Sequence, residues 1–172
     1  MIRITVFTPL YNRAPLLEDL YKSLLKQNYH SFEWVIVDDG STDNAEQIIR
    51  TFIADSAHTF PIGYIQKENG GKHTAINRGV EEANGELFLI LDSDDTLPAD
   101  SLATIAQYYE QCKGYEDCAG VCGLMAHHDG QLIGSGFPKD PMYESALQFR
   151  YAEKGNVTGD LLEVYKTSVM RE

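Results

Sequence analysis

Five consecutive apolar residues, Leu87-Phe88-Leu89-Ile90-Leu91, stand between Gly85-Glu86 and the acidic run Asp92-Ser93-Asp94-Asp95. A strand that is apolar at every position has no solvent face, so it belongs to a sheet covered on both sides, and such sheets are mostly parallel. The residues before it repeat one unit, a short strand and then a helix. Ile2 to Thr8 is rich in β-branched residues and alternates with period two, Glu33 to Val37 is more continuously apolar, and Ile62 to Gln66 is a third strand. Between them, Leu16, Leu17, Leu20, Tyr21, Leu24 and Leu25 recur at helical spacing after Pro15, up to about Gln27. Ile48, Ile49, Phe52 and Ile53 do so after a polar cluster, and a third helix is expected over Lys72 to Asn84 with Gly85 as its C′ residue. Strand–helix units of about 30 residues lead to parallel strands joined by crossovers. The expected fold class is α/β, a Rossmann-like, mostly parallel sheet with helices on both faces.

Past Leu102 the pattern weakens. A helix is expected around Pro98 to Gln111, a strand over Ala119 to Ala126, and a turn at His128-Asp129-Gly130 into a short partner strand. Tyr143 to Tyr151 reads as a short helix and Leu161 to Lys166 as a last strand. Thr167-Ser168 opens a helix with little room to form, so the expectation is a fold cut before it is complete.

The 172 residues suit a single domain with a sizeable core. A net charge of −12 excludes a sequence-blind nucleic-acid binder, which needs clustered Lys and Arg. No apolar run approaches the roughly 18–20 residues that span a bilayer, and the chain opens on a strand instead of a signal sequence. A cytoplasmic placement follows as an expectation, in solution or at the inner face of the membrane. Cys112, Cys118 and Cys122 suit neither a disulfide framework nor a usual zinc site and are expected as reduced thiols. So acidic a chain repels phosphate unless a dication intervenes.

In open α/β sheets ligands sit beyond the carboxyl ends of the strands. Polar clusters occupy three such ends: Thr8 to Arg13, Asp38-Asp39-Gly40-Ser41, and Asp92 to Asp95. Like-charged carboxylates about 4 Å apart cost roughly 4 kcal/mol at an effective dielectric of 20. A hard dication with oxygen ligands relieves that repulsion; the plainer alternative is that Asp95 or Thr96 caps the helix near Pro98. Adjacent strand-end residues point to opposite sides. One of Asp38 and Asp39 is therefore expected in the cleft and the other as a cap for the helix near Asn44. Tyr11 either stacks on a nucleobase or packs. Asn69-Gly70-Gly71-Lys72 before a helix makes an anion site, but it is no Walker A loop, and no GxGxxG follows the first strand. His127-His128-Asp129 falls on a turn and is not read as a metal site.

Four blocks then coincide in order and spacing: Phe7 to Arg13; Val35 to Asp43; Asn69-Gly70-Gly71-Lys72 with Ala75 and Asn77; and Gly85-Glu86 through Leu91-Asp92-Ser93-Asp94-Asp95. Together they resemble the family 2 glycosyltransferases, closely over residues 1–102 and loosely beyond. The resemblance implies a GT-A type catalytic domain over 1–172, with a nucleotide-sugar-binding half (1–102) and a partial acceptor half (103–172). It implies inverting transfer of a sugar from a nucleoside diphosphate, most often UDP, to a saccharide, lipid or other hydroxyl acceptor, as in cell-envelope polysaccharide synthesis. Carried over by motif, Tyr11 stacks on the base, Asp39 accepts its N–H and the Pro9 backbone lines the pocket. Lys72 reaches the nucleotide. Asp92 and Asp94 hold the ribose side and a Mn²⁺ or Mg²⁺ on the diphosphate, with Asp95 supporting.

The departure from the family lies at the general base, which is expected on a segment after the last strand. Only six residues follow Lys166, so the base is expected beyond Glu172, with Asp160 a weak candidate inside the chain. A catalytically silent nucleotide-binding module is one rival. A phosphoacceptor receiver is another, although its acidic pair belongs after the first strand. A sugar-phosphate nucleotidyltransferase needs a Gly-rich first loop, which Pro9-Leu10-Tyr11-Asn12 is not.

Overall fold

Strand β1 (Ile4–Leu10) is flanked on both sides by parallel partners in the computed structural model, which describes residues 3–55, 57–137, 145 and 157–172. One neighbour is β2 (Phe32–Asp38), in register Ile4↔Phe32 through Leu10↔Asp38. The other is β4 (Leu87–Ile90), which pairs Ile4↔Leu87 through Phe7↔Ile90. Beyond β2 lies β3 (Ile62–Gln66), also parallel. Beyond β4 come β6 (Leu161–Lys166), antiparallel to it, and β5 (Gly120–Leu124), giving the six-stranded order β3-β2-β1-β4-β6-β5. The mostly parallel α/β sheet expected from the apolar runs is present, and each of its first four strands falls within two residues of its expected bounds.

Helices cover both faces, because alternate residues of β2 point oppositely. On one face Phe7, Val35, Val37 and Phe88 form a core with Ala75, Val80 and Ala83, the last just past α3 (Lys72–Glu82). The Phe7 and Phe88 rings stack there with centroids 5.0 Å apart. On the other face Trp34 stacks near Tyr21 of α1 (Leu17–Leu25) and Phe52 of α2 (Ala45–Ala54). Helix α1 follows a 3-10 turn, Ala14–Leu16, that carries Pro15 at its start.

Three local expectations are corrected. Gly85 does not end α3, which stops at Glu82 with Ala83 already extended. A Cβ on Gly85 would lie 2.4 Å from the Thr5 backbone nitrogen, so close passage over β1 is what requires a glycine. Helix α4 (Ser101–Cys112) starts three residues after Pro98; its N-cap position is Asp100 instead of Asp95 or Thr96, and the Asp100 side chain does not cap it. The buried Gln27 does so instead: its Oε1 accepts from the Leu102 amide (3.2 Å) and its Nε2 donates to the Pro98 carbonyl (2.8 Å). Third, Thr167–Met170 does form, as a single helical turn, α5.

The chain divides into two compact units, Met1–Val121 with Val164–Glu172, and Cys122–Glu163. In the second, Ala126 and Leu132 form an antiparallel bridge around the turn at Gly130 (φ +85°), as the sequence suggests. The helix expected over 143–151 lies, apart from Ser145, outside the described residues. No described helix is long and apolar enough to cross a membrane. The three cysteines are unbridged, with Cys112 buried and its thiol pushed up to about 12, first by burial and then by Cys118.

Gly85→Ala should therefore lower the melting temperature more than any ordinary surface change, since the clash is with backbone. A loss of about 1–3 kcal/mol is expected, or several degrees for a chain this size. Gly114→Ala, whose Cβ meets nothing within 4 Å, is the matched control and should melt like the parent.

Candidate functional site

Because β1, β2 and β4 are parallel, their carboxyl ends and the loops that follow share one edge of the sheet. At the end of β2 the two adjacent acids part. The fully buried Asp38 turns one oxygen to the Ser41 amide (2.7 Å) and the other to the Tyr64 hydroxyl (2.7 Å), which ties off the turn. It caps no helix. Asp43 serves α2, its Oδ1 accepting from the Ala45 amide (3.2 Å) and its Oδ2 from the Ala14 amide (2.9 Å).

Asp39 turns the other way and is 3% exposed. Its Oδ1 accepts from the Gly70 amide (3.0 Å) and from Lys67 Nζ, and its Oδ2 accepts from the Gly71 amide (2.7 Å). Burial raises the cost of its charge, but the Lys67 hydrogen bond and the two amides outweigh it and hold the carboxyl below its ordinary value. The anion site expected at Asn69-Gly70-Gly71 is thus filled from within the chain. Lys67 also donates to Thr74 Oγ1 (2.9 Å) in α3, so one ammonium joins the ends of β2 and β3 to a helix start.

Beyond β4, one carboxylate oxygen from each of Asp92, Asp94 and Asp95 lies within 4.8 Å of the other two. Such a set of hard oxygen donors on one turn fits a divalent cation. Two of the acids have basic partners: Lys72 Nζ sits 2.7 Å from Asp92, and Arg13 lies 3.5 Å from Asp94. All four of these side chains are 40–55% exposed, so the pairs are weakly held and open to exchange for a ligand or ion.

These contacts close a ring. The Asn12 amide donates to Ser41 Oγ (2.9 Å), and Asn12 Oδ1 accepts from the Thr42 amide (2.8 Å). Arg13, the next residue, reaches Asp94; Asp92 holds Lys72; and Gly71, beside Lys72, donates to Asp39. Tyr11 stands at this ring half exposed (50%), so it is not a core residue, and Pro9 lies within β1 just before it. Asp160 is exposed and belongs to the second unit. The sequence reading missed Lys67, the largest favourable influence on Asp39, and gave no role to Asn12 or Arg13. Lys67 follows β3 directly, and the pairing Asp38↔Gln66 places it beside Asp39, so the strand register carries that signal.

The sequence pattern of Glycosyl transferase family 2 matches residues 5–155. Glycosyltransferase GlyG of Streptococcus pneumoniae is 35% identical over 73% of this chain and 40% of its own length. A GalNAc(5)-diNAcBac-PP-undecaprenol beta-1,3-glucosyltransferase of Campylobacter jejuni is 28% identical over 99% of the chain and 53% of its own. The chain thus spans about half the length of these relatives. Among solved structures, S. aureus TarS 1-349 aligns with a TM-score of 0.70 at 24% identity, over 99% of this chain and 48% of that one. The mannosyltransferase PcManGT of Pyrobaculum calidifontis, solved with GDP-Man and Mn2+, also gives 0.70 at 24% identity, over 99% and 46%. At that identity the two share the fold.

Asn12 sits at φ +51°, a conformation that costs most side chains about 1–2 kcal/mol. Asn12→Gly should lose only the bridge to Thr42, whereas Asn12→Ala loses the bridge and gains backbone strain. Ala should therefore destabilise more than Gly, and hydrogen exchange should speed up at the Thr42 amide in both.

Proposed function

The chain belongs to glycosyl transferase family 2, and from that premise we propose that its sheet edge binds a UDP-sugar with a divalent cation, as the donor side of an inverting transfer to a hydroxyl acceptor. The observation that carries this reading is the ring itself: an ionised, nearly buried acceptor at Asp39, an exposed aromatic at Tyr11 and an acidic triad, all at the carboxyl edge. TarS has been solved with UDP and with UDP-GlcNAc, and PcManGT with GDP-Man and Mn2+, which supports a nucleotide-sugar and a metal here.

In this reading Tyr11 stacks on the base, the Pro9 backbone lines the pocket, and Asp39 accepts the base N–H. Asp92, Asp94 and Asp95 are the side chains to hold Mn²⁺ or Mg²⁺, which when bound supplies Lewis-acid stabilisation to a diphosphate leaving group. Lys72 and Arg13 are exposed cations able to turn from Asp92 and Asp94 toward phosphate oxygens. Every acid of the ring has a binding role, so none is assigned as the base for the acceptor hydroxyl. That favours, as a second reading, a chain that binds the donor without turning it over by itself.

Two experiments test the donor site. In calorimetry, UDP should bind tightly with Mn²⁺ and weakly with EDTA. Asp94→Ala should remove most of that metal dependence, and Asp95→Ala less. Equal affinity with and without metal would rule out a bridging cation. Separately, Tyr11→Ala should weaken UDP binding by about 1–3 kcal/mol, the worth of base–aromatic stacking, while Tyr11→Phe stays near the parent.

A further inference from the structure

A carboxylate has two oxygens and about four acceptor positions in all. At Asp39 three are filled from within the chain: Oδ1 takes both Lys67 Nζ and the Gly70 amide, and Oδ2 takes the Gly71 amide. One position, on Oδ2, is left for a ligand. Nucleobases differ in what they ask of such a group. Uracil offers a single imide N–H at its Watson–Crick edge. Guanine offers two parallel donors, a ring N–H and an exocyclic amine, which pair with the two oxygens of one carboxylate. Resting on the reading that a nucleoside diphosphate binds at this edge, we propose that Lys67 is a specificity-determining positioning residue. With Gly70 it occupies Oδ1, so that Asp39 presents one acceptor and the pocket takes uracil in preference to guanine.

The ammonium is well fixed for this role. It donates to Asp39, to Thr74 Oγ1 at 2.9 Å and to the Glu68 carbonyl, so all three of its donors are used. Its side chain is 24% exposed against 5% for Asp39, so the pair sits where water competes little. Other ionisable groups nearby face elsewhere. Asp38 is turned to Ser41 and Tyr64, Lys72 is paired with Asp92, and the His73 ring lies against the Gly71 backbone. Lys67 has a second effect. Burial alone would raise the Asp39 carboxyl, so without the ammonium it would bind a proton at a higher pH and become a weaker acceptor for an N–H there.

The test compares UDP and GDP by calorimetry in the presence of Mn²⁺, so that ribose, diphosphate and metal are common and the ratio of affinities reports the base. The parent should prefer UDP by at least about tenfold, a difference of roughly 1.4 kcal/mol. Lys67→Met should bring the ratio toward one, and Lys67→Arg, which keeps a cationic donor, should restore much of it. As pH is lowered from 7 to 5, UDP affinity of Lys67→Met should fall faster than that of the parent, because phosphate ionisation is the same in both. A parent that binds GDP as tightly as UDP overturns the proposal, and that measurement needs no variant to fold. So does a folded Lys67→Met that keeps the parental ratio and pH profile, and in that case the donor reading survives. A parent that binds neither nucleotide overturns the donor reading and this inference with it.

Discussion

Strand β1 is hydrogen-bonded along both edges, and the placement of every loop at the site follows from how its two ladders are registered. A slip of one residue against β2 would exchange Trp34 for Val35 on each face and undo both cores. Two buried polar contacts fix the register against that. Trp34 Nε1–H donates to Thr8 Oγ1 at 3.0 Å, and Thr5 Oγ1 donates to Glu33 at 2.7 Å. Glu33 in turn receives the Asn84 amide at 2.6 Å, which ties the segment before β4 to the same register. With the ladders set, the Asp39 amide meets the Leu10 carbonyl (2.8 Å) and the Leu91 amide meets the Phe7 carbonyl (2.8 Å). Polar pins along β1 thereby position the acids beyond its carboxyl end.

The chain's −12 charge is handled differently inside and outside this edge. Asp38, Asp39 and Glu33 are buried and each is met by several donors, as a buried charge must be. Asp92 and Asp94 remain exposed with one flexible basic partner each. A buried acid of the first kind is part of the fold; an exposed acid of the second kind can change partners. The division follows the strands, since β2 runs under α3 while the acids after β4 lie past the end of their ladder.

Much of this was legible from residue order. The Leu87–Leu91 run announced a sheet covered twice, and three polar strand ends announced a shared edge. The split of Asp38 from Asp39 followed from the pleat alone. What escaped has one cause: contacts between segments far apart in sequence. Gln27 caps a helix through the Leu102 amide, 75 residues later, and Gly85 is glycine because of Thr5, 80 residues earlier. Lys67 looks like any surface lysine until β3 is laid beside β2. The Gly70 and Gly71 amides were read as waiting for an outside anion, because nothing local shows that Asp39 reaches them first.

Helix α3 carries a further consequence. A Cβ on Gly79 would meet the Phe7 ring at 2.2 Å, so the helix lies closer to the sheet there than any other residue would allow. Seven residues toward its start, about 10 Å along the axis at 1.5 Å per residue, stands Lys72. The rod between them is stiff, so Gly79 acts as a fulcrum. A methyl group added there would lift the helix and swing its far end, carrying Lys72 and the Gly71 amide out of line with Asp92 and Asp39. The geometry of the edge is thus set from a buried position that touches no part of it.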